Sequence, residues 1–136
     1  MTRKVFVDTD IVYDMLATRE PYYHAAAKLF TISDEGKIQL FVSALTIANI
    51  HYLISKQLSP DKAKQILRKF RLLVHIVPVN KKIIDLALNS DFGDFEDAIQ
   101  YFCALENGIE LLVTRNLKDY KKARIPVMTA RDFISL

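Results

Sequence analysis

Five aspartates and a handful of amide and hydroxyl side chains in this 136-residue chain have the types and spacing needed to handle a phosphate ester. Asp8 and Asp10 follow the apolar run Val5-Phe6-Val7, Asp94 and Asp97 open the run Phe95–Asn107, and Asp119 comes shortly after Thr114-Arg115-Asn116. Carboxylates aimed at one point repel each other and so favour a cation. Hard oxygen donors suit Mg²⁺, which takes one or two carboxylates and completes its shell with water and substrate phosphate. Such an ion polarises a phosphoryl oxygen, makes a nucleophile of bound water and stabilises the leaving oxyanion. Asp8 and Asp97 are the expected principal ligands, joined by Asp119 and Asn116. Asp94 has two readings, because Asp94-Phe-Glu-Asp97 also has the form of a helix N-cap with an acidic residue three positions on.

Positioning these residues is the task of alternating strands and helices. Residues 4–8 form a short β-branched and aromatic run that reads as a strand, and residues 11–16 have helical spacing. Pro21 is expected to open a second helix over 22–33, closed by Gly36. A strand over 40–43 ends in Ser43, followed by a helix over 46–56 and another that Ser59-Pro60 starts and that runs to about residue 73. Residues 74–79 read as a strand, 81–90 as a helix capped by Asn80, and 95–107 as a helix closed by Gly108. Residues 110–114 and 125–128 complete the strands, and 130–136 form a terminal helical turn. This alternation implies right-handed crossovers and a mostly parallel sheet of about five strands covered on both faces. In open parallel sheets the ligand lies beyond the carboxyl ends of the strands, where the strand order reverses. That rule gathers the aspartates on one edge, with Thr9, Asp10, Ser43, Thr114 and Arg115 expected to support the ligands or to orient water and phosphate.

Size and composition set the frame. The length suits one domain, and a chain that is 51% hydrophobic and 26% charged is too apolar for disorder. Asp8 and Asp10 interrupt the apolar start too early for a secretory signal, and no stretch approaches the ~20 apolar residues of a membrane span. The single cysteine, Cys103, excludes an intrachain disulfide, and it sits among apolar helix neighbours like a core residue. These features point to the cytoplasm. The net charge is only +3, but residues 56–71 carry six basic side chains against Asp61 alone, and 115–124 carry five against Asp119 alone. Such segments suit a polyanion, since neutralised phosphates release counterions; a solvated helix face is the plainer reading. Histidines 24, 51 and 75 have no metal-ligand spacing and read as structural. Tyr13, Tyr22, Tyr23 and Tyr52 are available to stack on bases or simply to pack.

The segments VDTDIVYDML, LFVSALTIANIHYLI, DFEDAIQYFCALENG and LLVTRNLKDY resemble, in order and spacing, the four blocks of the PIN-domain family. Arg19-Glu20-Pro21 and the DFEDA wording are similar to small bacterial members related to VapC-type toxins. The resemblance spans nearly the whole chain. It implies a three-layer α/β/α sandwich, a Mg²⁺- or Mn²⁺-dependent ribonuclease acting on RNA, and a homodimer neutralised by an antitoxin protein. It places the family's acidic positions on Asp8, Asp97 and Asp119, with Thr114 and Asn116 in the turn before the last. One position departs: many members carry a glutamate where this chain has Asn49, which leaves the site one negative charge poorer.

Two other readings stay open at this point. Asp8-Thr-Asp10-Ile-Val12 also fits the nucleophile motif of haloacid-dehalogenase-like phosphatases, which use the first aspartate as nucleophile and the second as acid. A non-catalytic PIN-like module that lost turnover with Asn49 and kept nucleic-acid or protein binding is the third.

Overall fold

A computed structural model describes residues 2–136. Five strands form one sheet: β1 (Arg3–Val7), β2 (Ile38–Ser43), β3 (His75–Val77), β4 (Leu112–Val113) and β5 (Val127–Met128). Every pairing is parallel and the strand order is β3-β2-β1-β4-β5. The chain therefore builds outward from β1 in one direction, then returns to add β4 and β5 on the other side. The reversal falls between β1 and β4, where a doubly wound sheet opens a crevice at its carboxyl edge.

Side chains alternate across the strands, and the two faces are buried against different helices. Val5, Val7, Leu40, Val42, Leu111 and Val113 pack on one side with α1 (Thr9–Leu16), α2 (Tyr23–Asp34), α3 (Ala44–Gln57), α4 (Pro60–Phe70) and α7 (Ala130–Ile134). Phe6 and Leu112 point the other way, into a core closed by α5 (Lys81–Leu88), α6 (Phe95–Glu106) and a 3-10 turn, Leu117–Tyr120. Sheet faces apolar on both sides can be stable only between two helical layers, so the expected α/β/α sandwich is the observed one.

Most helices start where a strand has just ended, and a polar cap makes the turn. Asp8 caps α1, Ser43 caps α3, Asn80 caps α5 and Thr129 caps α7, each accepting a backbone N–H of the first turn, and Asp94 does the same for α6 after the loop from α5. Gly108, with φ of +67°, lets the chain leave α6 and turn into β4.

Some expected boundaries shift for local reasons. Pro21 does not open α2; the N–H groups of Tyr22 and Tyr23 both bond to the Arg19 carbonyl, and this turn delays the helix to Tyr23. The helix through the basic segment stops at Phe70, where Leu73 N–H turns back to the Phe70 carbonyl. β3 is three residues long, because it has one neighbour and Pro78 has no N–H to extend the ladder. No helix among the described residues is long and apolar enough to cross a membrane.

Candidate active site

β1 delivers Asp8 to the crevice, and the carboxylate is closely held. Oδ1 accepts the Thr9 N–H at 2.7 Å, and Oδ2 accepts the Thr114 hydroxyl at 2.8 Å and the Tyr120 phenol at 3.0 Å. Asp97, in the first turn of α6, receives the same phenol at 3.3 Å. Tyr120 thus stands between the two principal carboxylates with one proton to offer them. Burial, followed by the charges of Asp8 and Asp97, keeps that phenol protonated far beyond its ordinary range. Asp10 completes the cluster: Oδ2 accepts the Arg115 N–H at 3.1 Å, while the buried Oδ1 has no hydrogen-bond partner.

The electrostatics of this group are those of crowded, poorly compensated anions. Burial and then the Asp8 charge push Asp10 up to about 7. Burial, then Asp8, Asp94 and Asp119, push Asp97 up to about 7 as well. Asp8 is raised chiefly by burial, against the lowering effect of its hydroxyl and amide donors.

A cavity of about 570 Å³ opens over the cluster and is lined by Asp8, Thr9, Asp10, Asn49, Glu96, Asp97, Gln100 and Asn116, with Tyr13, Arg19, Tyr52 and Leu53 at its side. Below it runs a buried polar network. Gln100 donates to Thr46 at 2.8 Å and to Thr9 at 3.1 Å, and accepts the Ser43 hydroxyl at 2.7 Å. This ties α1, α3 and α6 together under the carboxylates, and it satisfies polar groups that would be costly to bury alone.

The structure brings Asp8, Thr9, Asp10, Asn49, Asp97 and Asn116 to one cavity. Asp119 is half-buried, accepts the Asn116 amide at 2.5 Å and acts on Asp97 through its charge. Thr114 is fully buried as a donor to Asp8, and Ser43 belongs to the network beneath. Two expectations change. Asp94 is exposed and caps α6 by accepting the Asp97 N–H at 3.0 Å, so it reaches the centre through charge alone. Arg115 does not orient ligand in this cavity: its guanidinium grips Asp14 at 2.7 and 3.2 Å and lies 3.9 Å from the Tyr22 ring centre. Residues leaving a strand alternate sides, so Thr114 and Arg115 face opposite ways.

Three residues of consequence escaped the sequence reading. Gln100 lies three positions after Asp97 on one helix, hence on the same face, and that spacing was available as a signal. Asp14 follows Asp10 at the same kind of spacing. Tyr120 adjoins Asp119 but had no signal of its own. The remaining candidates behave as core or surface. Cys103 is buried and its thiol is pushed up to about 12 by burial, which removes it as a nucleophile. His24 pairs with Glu20, His51 with Ser55, and His75 stacks on Phe41.

Among the described residues no three His, Cys, Asp or Glu side chains are gathered closely enough to hold a metal ion by themselves. The donor set fits a different kind of ion. Hard carboxylate oxygens, one of them buried without a partner, and anions that raise one another's proton affinity suit a divalent cation that keeps much of its water, as Mg²⁺ does.

A sequence model of the PIN domain matches residues 4–118. Ribonuclease VapC1 of Aquifex aeolicus is 26% identical over 137 residues, covering 97% of this chain and 94% of that protein. Among solved structures, a toxin-antitoxin complex from Klebsiella pneumoniae contains a chain with a TM-score of 0.69 at 23% identity, covering 93% of this chain and 97% of that one. FitAcB from Neisseria gonorrhoeae superposes with a TM-score of 0.71 at 13% identity, covering 93% of this chain and 98% of that one. With a family match over most of its length, the chain belongs to the PIN domain family.

Proposed function

We propose that this protein is a divalent-metal-dependent endoribonuclease, the toxin of a toxin-antitoxin pair. The observation that carries the reading is the cluster of Asp8, Asp10 and Asp97 around one polar cavity at the sheet's reversal point, with carboxylates raised by burial and by each other. The ribonuclease name of the Aquifex aeolicus relative and the toxin-antitoxin complex from Klebsiella pneumoniae support the substrate and the partner.

Asp8 and Asp97, with Asp119 beside them, would hold Mg²⁺ or Mn²⁺. When bound, the ion supplies Lewis acidity toward the scissile phosphate and an acidified water. The chain's own residues supply position. Thr114 and the Thr9 N–H fix both oxygens of Asp8, Tyr120 keeps Asp8 and Asp97 in register, and Asn49 and Asn116 present neutral amides to water or phosphate. A cytoplasmic homodimer that an antitoxin protein silences is the biological form this reading implies.

The test is cleavage of single-stranded and structured RNA with Mg²⁺ or Mn²⁺, comparing the wild type with Asp8→Asn and Asp97→Asn. Loss of a metal-binding carboxylate should cost more than the ~100-fold that can follow loss of a supporting residue. Cleavage that survives both substitutions, or EDTA, would sink the proposal. Asn49 favours one second reading, a binding module without turnover, and metal-independent RNA binding with no cleavage would support it. Hydrolysis of p-nitrophenyl phosphate dependent on Asp10 would return the phosphatase.

A further inference from the structure

The four tyrosines offered for base stacking have separate fates. Tyr22 is covered by the Arg115 guanidinium, and Tyr23 packs edge-on against His24, 5.4 Å away. Tyr13 and Tyr52 instead line the acidic cavity. Each carries a cation: Arg19 lies 4.9 Å from the Tyr13 ring centre, and Lys56 lies 5.1 Å from that of Tyr52. Tyr52 is 60% exposed, three positions after Asn49 on α3 and hence on the same helix face.

Arg19 is the one Lys or Arg among the cavity's lining residues. Its charge is not consumed within the chain. Asp14 has a single negative charge, and Arg115 takes it with a two-pronged contact. Arg19 stands second at 3.8 Å, with no hydrogen bond to that carboxylate, and its side chain is 44% exposed. Two guanidiniums on one carboxylate leave a positive charge at the edge of a cavity otherwise lined by anions and neutral groups. An exposed ring with a cation over one face, next to a surplus guanidinium, is a combination that binds a nucleotide by its base face and its phosphate together.

We infer that Arg19 and Tyr52 form a one-nucleotide subsite beside the carboxylate centre, Tyr52 stacking on the base and Arg19 taking the phosphate next to the one that is cut. The inference rests on the ribonuclease reading above. It assigns to these two side chains the hold on the substrate strand, a task the carboxylates cannot perform because they repel phosphate.

The experiment uses the full chain carrying Asp8→Asn, in EDTA, with a fluorescein-labelled single-stranded oligoribonucleotide followed by anisotropy over a salt series. Tyr52→Ala should raise Kd roughly 10-fold, the loss expected for one stacked base, while Tyr52→Phe keeps the parent's affinity. Arg19→Ala should raise Kd and lower the slope of log affinity against log salt by about 0.7, one phosphate contact on a single strand; Arg19→Lys restores the slope. Lys81→Ala, whose partner Asp85 lies outside the cavity, should change neither. Parent-like binding by both alanine variants, or a loss confined to Arg19→Ala, overturns the subsite. If wild-type cleavage then remains metal-dependent, the ribonuclease reading stands without it. No binding by the parent together with no cleavage by the wild type overturns both.

Discussion

Asp10 and Asp14 lie one turn apart on the same helix and have opposite surroundings. Asp14 is fully buried, with Arg115 closed on both of its oxygens and Arg19 behind. Asp10 is opposed by the Asp8 charge more than it is relieved by the charge of Arg115, with which it forms no ion pair, and one of its oxygens is buried with nothing to bond to. The same residue type is thus a finished ion pair in one place and an unfinished one in the other. A carboxylate that finds its cation inside the chain holds the chain together, whereas a group of carboxylates left short of cations is what the proposed ion would complete. The two are joined at Arg115, whose side chain serves Asp14 while its backbone N–H serves Asp10. The stable pair therefore anchors the loop that carries Thr114 to the reactive one.

The largest effect should come from breaking the finished pair. Arg115→Met leaves Asp14 buried with only Arg19, at 3.8 Å and without a hydrogen bond, and a buried charge stripped of its main partner costs up to ~3–5 kcal/mol. Urea denaturation measures this, and Asp14→Leu added to Arg115→Met should recover part of the loss. A cost below ~1 kcal/mol would erase the distinction, since Asp14 would then tolerate isolation as well as Asp10 does.

The unfinished cluster should respond to pH in the direction set by its raised carboxylates. Asp10 and Asp97 go from an ordinary 3.8 in the unfolded chain to about 7 when folded. Between these values the metal-free folded chain holds protons that the unfolded chain has released, so its stability falls as pH rises from about 4 to about 7. The contribution is fully present below the lower value and lost on passing the upper. The free energy of unfolding should drop across this window by a few kcal/mol in all, solvent screening holding the effect below the ~1.4 kcal/mol per pH unit that each group could contribute. Mg²⁺ or Mn²⁺ should restore stability most at the upper end, and Asp97→Asn should flatten the slope. A midpoint indifferent to both pH and metal would mean that the cluster is compensated internally after all.

What the sequence disclosed about this contrast follows from how each residue gets its position. Asp8, Asp10 and Asp97 were legible because the backbone places them: strand ends and the first turn of a following helix are predictable from apolar periodicity, and the parallel topology then brings them together. The sheet order was open, yet any doubly wound order puts these ends on one edge. Asp94 was legible as a choice, and the structure took the capping alternative because its carboxylate lies within reach of the Asp97 N–H. Arg115 was misread because Thr114-Arg115-Asn116 looked like one polar unit, although consecutive residues at a strand end face opposite sides. Tyr120 was missed for a different reason. Its role depends on how far a long side chain reaches across to another element, which local pattern does not encode. Gln100 and Asp14 had helical spacing to Asp97 and Asp10 as a signal of their face, but that spacing does not name their partners, and the pairing of Asp14 with Arg115 spans most of the chain.

A smaller effect should come from the phenol that supports the cluster. Tyr120→Phe removes a hydroxyl that reaches both Asp8 and Asp97 while leaving the ring in its aromatic core against Phe92. Because the phenol stays protonated throughout the working range, it acts as a donor and not as a base. Cleavage should fall roughly 10-fold, in the range seen when a group that orients metal ligands is lost, and the shape of the pH–rate profile should be unchanged. A profile that loses its rising limb would make Tyr120 a proton carrier instead of a spacer.

The finest test concerns Asn49, where charge can be added to the unfinished side. Asn49 lines the cavity with Asp8 and Asp97, so Asn49→Glu adds another anion to a cluster already short of cations. In the metal-free state the added repulsion should lower stability slightly, while with metal present the same charge should raise affinity a few-fold, because hard-cation affinity follows the count of charged ligands. Calorimetric titration with Mn²⁺ and a parallel melt read the two signs separately. Opposite signs would show that residue 49 belongs to the cluster and that its amide is the reason the cluster binds more weakly than it could. Equal metal affinity would place the side chain beyond the ion's reach and leave the aspartates as the whole of the centre, with Asn49 serving only the wall on which the substrate strand lies.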